Sequence, residues 1–98
     1  MKSIDVNTLA GSLTEYTLID VREQHEFAEG AIKGAIHLAL SAIENTPLPD
    51  SDKPYVIYCL RGGRSSRAID YWQAISDREM INLEGGVTKW LENGHELV

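Results

Sequence analysis

The sequence has a single cysteine, Cys59, among its 98 residues. One thiol excludes an internal disulfide and a metal site made of several cysteines, and it is compatible with a reducing compartment. The chain also lacks an apolar run of the roughly 18 residues that a membrane span needs, and its first residues lack the apolar stretch of a signal peptide. We therefore expect a cytoplasmic protein that binds neither a metal nor a membrane.

Positive charge is scarce as well. Lysine and arginine together number 9 against 15 acidic residues, which gives a net charge of -6. A protein with this balance is a poor candidate for binding nucleic acid, so we expect no such partner. Against this background Arg61, Arg64 and Arg67 form a local cluster, because they place a third of the basic residues within seven positions.

The order of apolar runs and helical patterns predicts one α/β domain over residues 1–98. No repeat, low-complexity tract or linker interrupts the chain, and 43% of its residues are hydrophobic, which is enough for a core. Strands that alternate with helices favour a mainly parallel sheet. The predicted strands are 17–21, 35–39, 55–59 and 80–84, and the predicted helices are 5–13, 23–30, 40–45, 65–76 and 86–94.

Cys59 ends the strongest predicted strand, and the carboxyl ends of parallel strands are where α/β proteins place reactive groups. A helix is expected to begin near Arg64 or Ser65, with Ser65 or Ser66 as its cap. The residues that connect the strand to this helix are Leu60, Arg61, Gly62 and Gly63.

This short, glycine-rich loop is suited to holding a sulfur anion. Its backbone N–H groups can turn inward to form an anion nest, and the N-terminus of the following helix adds N–H groups and the positive end of a dipole. Arg64 contributes a fixed charge and a fork of donors. Helix N-termini and neighbouring cations lower the pKa of a cysteine, so we expect Cys59 to be largely thiolate, the nucleophilic form, and not an inert core thiol.

The spacing between cysteine and arginine separates two kinds of chemistry. Tyrosine phosphatases place five residues between them, whereas four residues separate Cys59 from Arg64 here. A smaller loop makes a tighter ring of amides, which favours a sulfur atom over a phosphate group at its centre. An arsenate reductase or phosphatase is therefore a weaker hypothesis, and no acidic residue in a mobile segment shortly after the loop supports it.

Three motifs, in order, resemble those of the rhodanese domain family. The segment CLRGGRS matches the active-site pattern C-x-x-G-x-R-[ST] through Cys59, Gly62, Arg64 and Ser65. Residues 83–94 resemble the C-terminal motif, in which two glycines precede a helix with a tryptophan, here Trp90. The N-terminal motif, D-V-R followed by an acidic-aromatic pair and G-H-I-x-G-A, is matched by Asp20, Val21, Arg22, Glu26, Phe27, Gly30, Ile32, Gly34 and Ala35.

The resemblance implies a three-layer α/β/α fold with a five-stranded, mostly parallel sheet. It also implies a ping-pong sulfurtransferase that needs no cofactor: thiosulfate or a persulfide gives its outer sulfur to Cys59, and the Cys59 persulfide passes it to cyanide, a thiol or a protein. In this interpretation Leu60 to Arg64 bind the substrate, and the supporting residues are Asp20, Arg22, Glu26 and Ser65. The alternative is a persulfide carrier or sulfide-responsive binding module with little turnover.

Two positions depart from the family pattern. Ala31 replaces the histidine of the N-terminal motif, which we expect to affect structure only. Glu26 stands where two-domain thiosulfate sulfurtransferases carry an arginine, and a carboxylate there should repel thiosulfate. Arg61 matches a lysine of those enzymes and compensates in part. We therefore expect thiosulfate to be a modest substrate and a persulfide or a carrier protein to be the physiological donor.

The remaining candidates have mostly structural interpretations. Asp20 and Arg22 are expected to brace the fold, with Arg67 as the candidate partner of Asp20. The three histidines have no metal-ligand spacing. Leu60 is different, because an apolar residue inside this loop should face solvent or a partner; beside Arg61 it is a candidate docking spot for a sulfur-accepting protein.

Overall fold

In the computed structural model, which describes residues 1–98, five strands form one sheet in the order β1-β5-β4-β2-β3. All neighbouring strands are parallel. The strands are β1 (Lys2–Ile4), β2 (Thr17–Asp20), β3 (Ile36–His37), β4 (Tyr55–Tyr58) and β5 (Met80–Leu83). The helices are α1 (Val6–Ala10), α2 (Gln24–Glu29), α3 (Gly63–Gln73) and α4 (Gly86–Glu92), with 3-10 helices at Leu13–Glu15 and Leu40–Asn45.

The central strand β4 divides the core between the two faces of the sheet, because successive side chains point in opposite directions. Val56 and Tyr58 pack on one face with apolar residues of α1 and α4. Tyr55, Ile57 and Cys59 belong to the cluster on the other face, which is covered by α3 and the second 3-10 helix. The sheet therefore lies between two helical layers, and the predicted three-layer α/β/α fold with a five-stranded parallel sheet is confirmed.

Several elements differ from the sequence predictions. The strand β1 was not predicted, since its three residues lie at the sheet edge and none is buried. The strand predicted at 35–39 is only two residues long, and the helical turn at 40–45 is a 3-10 helix. The helix predicted at 65–76 ends at Gln73, so Ile75 lies beyond α3 and is exposed. None of the helices combines the length and apolarity that a membrane crossing requires.

The start of α3 is also earlier than predicted. The helix begins at Gly63, and its N-cap is Gly62 in the left-handed conformation, so neither Ser65 nor Ser66 caps it. A glycine adopts this conformation without the steric cost that a side chain would add. Because the chain turns so sharply, the first amides of α3 lie directly beside the end of β4.

Candidate active site

Cys59 directly follows β4, and its sulfur lies in the turn that leads to α3. Its Sγ accepts hydrogen bonds from the backbone N–H groups of Gly62 at 3.1 Å and Ser65 at 3.4 Å. The Ser65 hydroxyl oxygen lies 3.5 Å from the same sulfur. Gly62 has a φ of 118°, which bends the chain so that these donors converge. The arrangement is a small ring of hydrogen-bond donors centred on one sulfur atom.

This donor ring favours the thiolate over the thiol. Cys59 is only 1% exposed, and burial by itself raises the pKa of the thiol. Hydrogen bonds from the Ser65 hydroxyl and from the backbone N–H groups of Ser65, Gly62 and Arg61 outweigh burial, so the pKa of Cys59 lies below its ordinary value. The direction is as predicted from the sequence, but the main contributors are oriented neutral donors and not the arginine charges.

Ser65 is held in place by Asn82, a residue of β5. The Ser65 Oγ lies 2.6 Å from Asn82 Oδ1 and 3.0 Å from the Gly62 carbonyl oxygen. The one hydroxyl proton of Ser65 can therefore go to Asn82, to Gly62 or to the Cys59 sulfur. Sequence analysis missed Asn82, although an asparagine inside the apolar run MINL is a signal that points to it.

The N-terminus of α4 holds the outer side of the same loop. The N–H of Val87 donates to the Cys59 carbonyl oxygen and the N–H of Thr88 to that of Leu60, each at 3.0 Å. Gly86 permits this approach, because a Cβ at that position would collide with the Cys59 carbonyl oxygen and lie 2.6 Å from that of Leu60. The second glycine of the C-terminal motif is thus a part of the site that sequence analysis did not assign.

Arg64 forms a two-pronged ion pair with Glu26. Its Nη1 lies 2.6 Å from Oε1 and its Nη2 lies 2.9 Å from Oε2. A capping box at the start of α2 orients Glu26, whose Oε1 also accepts the N–H of Glu23 at 3.0 Å. The hydrogen bond from Arg64 is the main cause that lowers the pKa of Glu26 to about 2. The carboxylate is therefore ionised at neutral pH, and it balances the charge of Arg64.

Asp20 and Arg22 form a second ion pair, which is buried and lies outside the cavity over Cys59. The Arg22 Nη2 is 2.7 Å from Asp20 Oδ2 and also donates to the Gly30 carbonyl oxygen at 2.7 Å. This contact ties the end of β2 to the end of α2, which is a bracing role. The predicted partner of Asp20 was wrong: Arg67 is instead an exposed residue of α3 on the wall of the Cys59 cavity.

A cavity of about 300 Å³ lies over Cys59. Its lining residues are Cys59, Leu60, Arg61, Gly63, Arg64 and Arg67. Leu60 is 39% exposed on its wall, in agreement with the expectation that this side chain faces outward. A second cavity, of about 430 Å³, lies beside Trp72 and shares no residue with the first. No group of three or more histidine, cysteine, aspartate or glutamate residues is arranged to hold a metal ion.

Comparison with known proteins identifies the family. The family model of the rhodanese-like domain matches residues 5–93 of this sequence. The chain belongs to the rhodanese-like domain family. A sulfurtransferase of Allochromatium vinosum is 32% identical to this rhodanese-like chain over 103 residues, which cover 100% of this chain and 95% of the relative. A putative sulfurtransferase of Bacillus subtilis, YtwF, is 40% identical over 77 residues, which cover 78% and 74% of the two chains.

A solved structure supports the same assignment. A rhodanese-related protein from Thermoplasma volcanium matches this rhodanese-like domain with a TM-score of 0.92 and 29% identity, over 100% of this chain and 98% of the other. The resemblance inferred from the three sequence motifs is therefore confirmed. At the level of the family, the relatives of this rhodanese-like chain include sulfurtransferases.

Proposed function

We propose that the protein is a sulfurtransferase that works through a persulfide on Cys59. The proposal rests on the donor ring, in which two backbone N–H groups and a hydroxyl converge on one buried sulfur. These donors stabilise the thiolate that attacks a sulfur donor, and the same nest suits the terminal sulfur anion of a persulfide. The names of the relatives support this reaction class, since two of them are described as sulfurtransferases.

The reaction has two half-reactions. In the first, the Cys59 thiolate attacks the outer sulfur of the donor; with thiosulfate, the new Sγ–S bond forms as the S–S bond of thiosulfate breaks, and sulfite leaves with the electron pair. In the second, a nucleophile such as cyanide or a thiolate attacks the outer sulfur of the persulfide. That sulfur leaves as thiocyanate or as a new persulfide, and the bonding electrons return to Sγ. A covalent intermediate of this kind gives ping-pong kinetics.

The Glu26–Arg64 pair bears on the choice of donor. Thiosulfate carries two negative charges, and the charge of Arg64 that would attract it is already balanced. A persulfide of lower charge meets less repulsion from Glu26. We therefore propose that a persulfide, carried by a small thiol or by a protein, is a better donor than thiosulfate, and that the exposed Leu60 contributes to docking when a protein takes part.

Intact-protein mass spectrometry tests the proposed function. Incubation with thiosulfate or a small-molecule persulfide should add one sulfur atom, about 32 Da, to the wild-type protein, and cyanide should remove it. The Cys59→Ser variant should gain nothing under the same conditions. A wild-type protein that stays unmodified, or a Cys59→Ser variant that still gains the sulfur, would contradict the proposal. Loading without turnover would instead support a persulfide carrier.

A further inference from the structure

Three arginines line the cavity over Cys59, but only one of them has a charged partner. Both terminal nitrogens of Arg64 donate hydrogen bonds to the Glu26 carboxylate. Arg61 and Arg67 are exposed and take part in none of the ion pairs of the structure. In a protein with a net charge of -6, the unbalanced positive charge beside the reactive sulfur therefore comes from these two side chains.

The two free arginines lie at different places along the cavity. Arg61 is in the loop itself, two residues after Cys59. Arg67 is on α3, three residues after Arg64, so the two share a helix face and Arg67 lies about 4.5 Å farther along the helix axis. The Cys59 sulfur is bound at the first turn of α3. Arg67 therefore begins farther along α3 from the reacting sulfur than Arg64 does.

This placement distinguishes short from extended anions. In thiosulfate the charged oxygens are attached to the atom next to the outer sulfur, so they remain at the loop. A carboxylate or sulfonate that is separated from its sulfur by a short carbon chain extends along the cavity towards Arg67. Leu60, exposed on the same wall, offers an apolar surface for such a chain.

On the basis of the proposed sulfur transfer, we propose that Arg67 is a specificity residue that binds the anionic end of an extended substrate. The substrate class is a small thiol, or its persulfide, with a carboxylate or sulfonate a few bonds from the sulfur. An arginine fork binds such a group with charge-assisted hydrogen bonds. Arg67 takes no part in bond making; it positions the substrate whose sulfur reacts at Cys59.

The test compares three methanethiosulfonate reagents that carry a sulfonatoethyl, a trimethylammonioethyl or a methyl group. In each case the Cys59 thiolate forms a disulfide with the transferred sulfur and methanesulfinate leaves. The ratio of the rates for the anionic and cationic reagents cancels any change in the pKa of Cys59. We expect the wild type to favour the anionic reagent, and Arg67→Gln to lower this ratio about fivefold. Arg67→Lys should keep most of the preference.

Two further variants serve as controls. Lys33→Gln removes the same charge from an exposed turn before β3, which lies at the amino end of the parallel sheet, whereas the Cys59 cavity lies at the carboxyl end; this variant should leave the ratio unchanged. Glu26→Gln frees Arg64 and should raise the ratio. An Arg67→Gln ratio equal to that of the wild type, or an equal fall in Lys33→Gln, would overturn the proposal.

Sulfur transfer provides a second readout. With the Cys59 persulfide as the loaded form, Arg67→Gln should raise the KM for mercaptopropionate as acceptor, leave its kcat unchanged, and leave both constants unchanged for the uncharged mercaptoethanol. Equal effects on both acceptors would contradict a role in binding the anionic end. Failure of the proposed function gives a different result: wild-type Cys59 would gain no sulfur from thiosulfate or a small-molecule persulfide. The rates of disulfide formation with the methanethiosulfonate reagents do not depend on sulfur transfer.

Discussion

Among the single residues, Glu26 joins two parts of the chain that lie 38 positions apart. Its carboxylate holds Arg64, and this hydrogen bond lowers the pKa of Glu26 from the ordinary 4.5 to about 2. A pKa that is lower in the folded state means that the ionised form stabilises the fold. The contribution is fully present above about pH 4.5, and it is lost as the pH falls through about 2.

The stability of Glu26→Gln tests this pH dependence. We expect the free energy of unfolding to fall by about 1 kcal/mol at pH 7, because the pair is partly exposed and therefore partly screened. Urea denaturation between neutral and acidic pH should show the difference from the wild type shrinking below about pH 4.5. Glu29→Gln, an exposed residue of the same helix, is the control and should change stability little at any pH. A constant difference across the whole range would contradict the interpretation.

At the scale of elements, the loop around Cys59 contacts two helices, α3 and α4. The Ser65 amide of α3 donates to the Cys59 sulfur, while two amides of α4 donate to the carbonyl oxygens of Cys59 and Leu60. Gly86 is the point of closest approach, and its φ of 57° is in the left-handed region. The position of α4 therefore contributes to the shape of the donor ring.

The substitution Gly86→Ala tests this contribution. It adds both the cost of a left-handed alanine and a collision with the loop backbone, so we expect the free energy of unfolding to fall by about 2–4 kcal/mol. The pKa of Cys59 should also rise as the loop shifts. Gly94→Ala is the matched control, because Gly94 has a φ of 83° and open space around its Cβ position. If both variants lose the same stability, the close approach of α4 to the loop is unimportant.

The elements also show which features a sequence can predict. β2 and β4 were predicted from short apolar runs that contain β-branched or aromatic residues. Such runs fit strands that are buried almost throughout, as these two are. The hydrogen-bond donors around the Cys59 sulfur were predicted because cysteine, glycines and arginine are adjacent in sequence. Contacts across the fold left no such local pattern: the Glu26–Arg64 pair, the support of Ser65 by Asn82 and the approach of α4 all depend on how distant segments pack.

Across the whole molecule, the thiolate forms against an unfavourable background. The net charge of -6 opposes the formation of another anion, and burial opposes it further. The donors that overcome both effects are uncharged and act at hydrogen-bond distance. Salt screens interactions between separated charges, with a Debye length of about 30 Å at 0.01 M and about 8 Å at 0.15 M ionic strength. It has little effect on hydrogen bonds between neutral backbone donors and a buried sulfur.

The salt dependence of the Cys59 pKa follows from this balance. Raising the ionic strength from about 0.01 M to about 0.15 M should leave the pKa unchanged or lower it slightly, because salt weakens the repulsion by the negative molecule and spares the donor ring. The pH profile of alkylation by iodoacetamide, an uncharged reagent, measures this pKa. Ser65→Ala removes one donor and should raise the pKa by the same amount at each salt concentration. A wild-type pKa that rises with salt would instead mean that the arginine charges hold the thiolate.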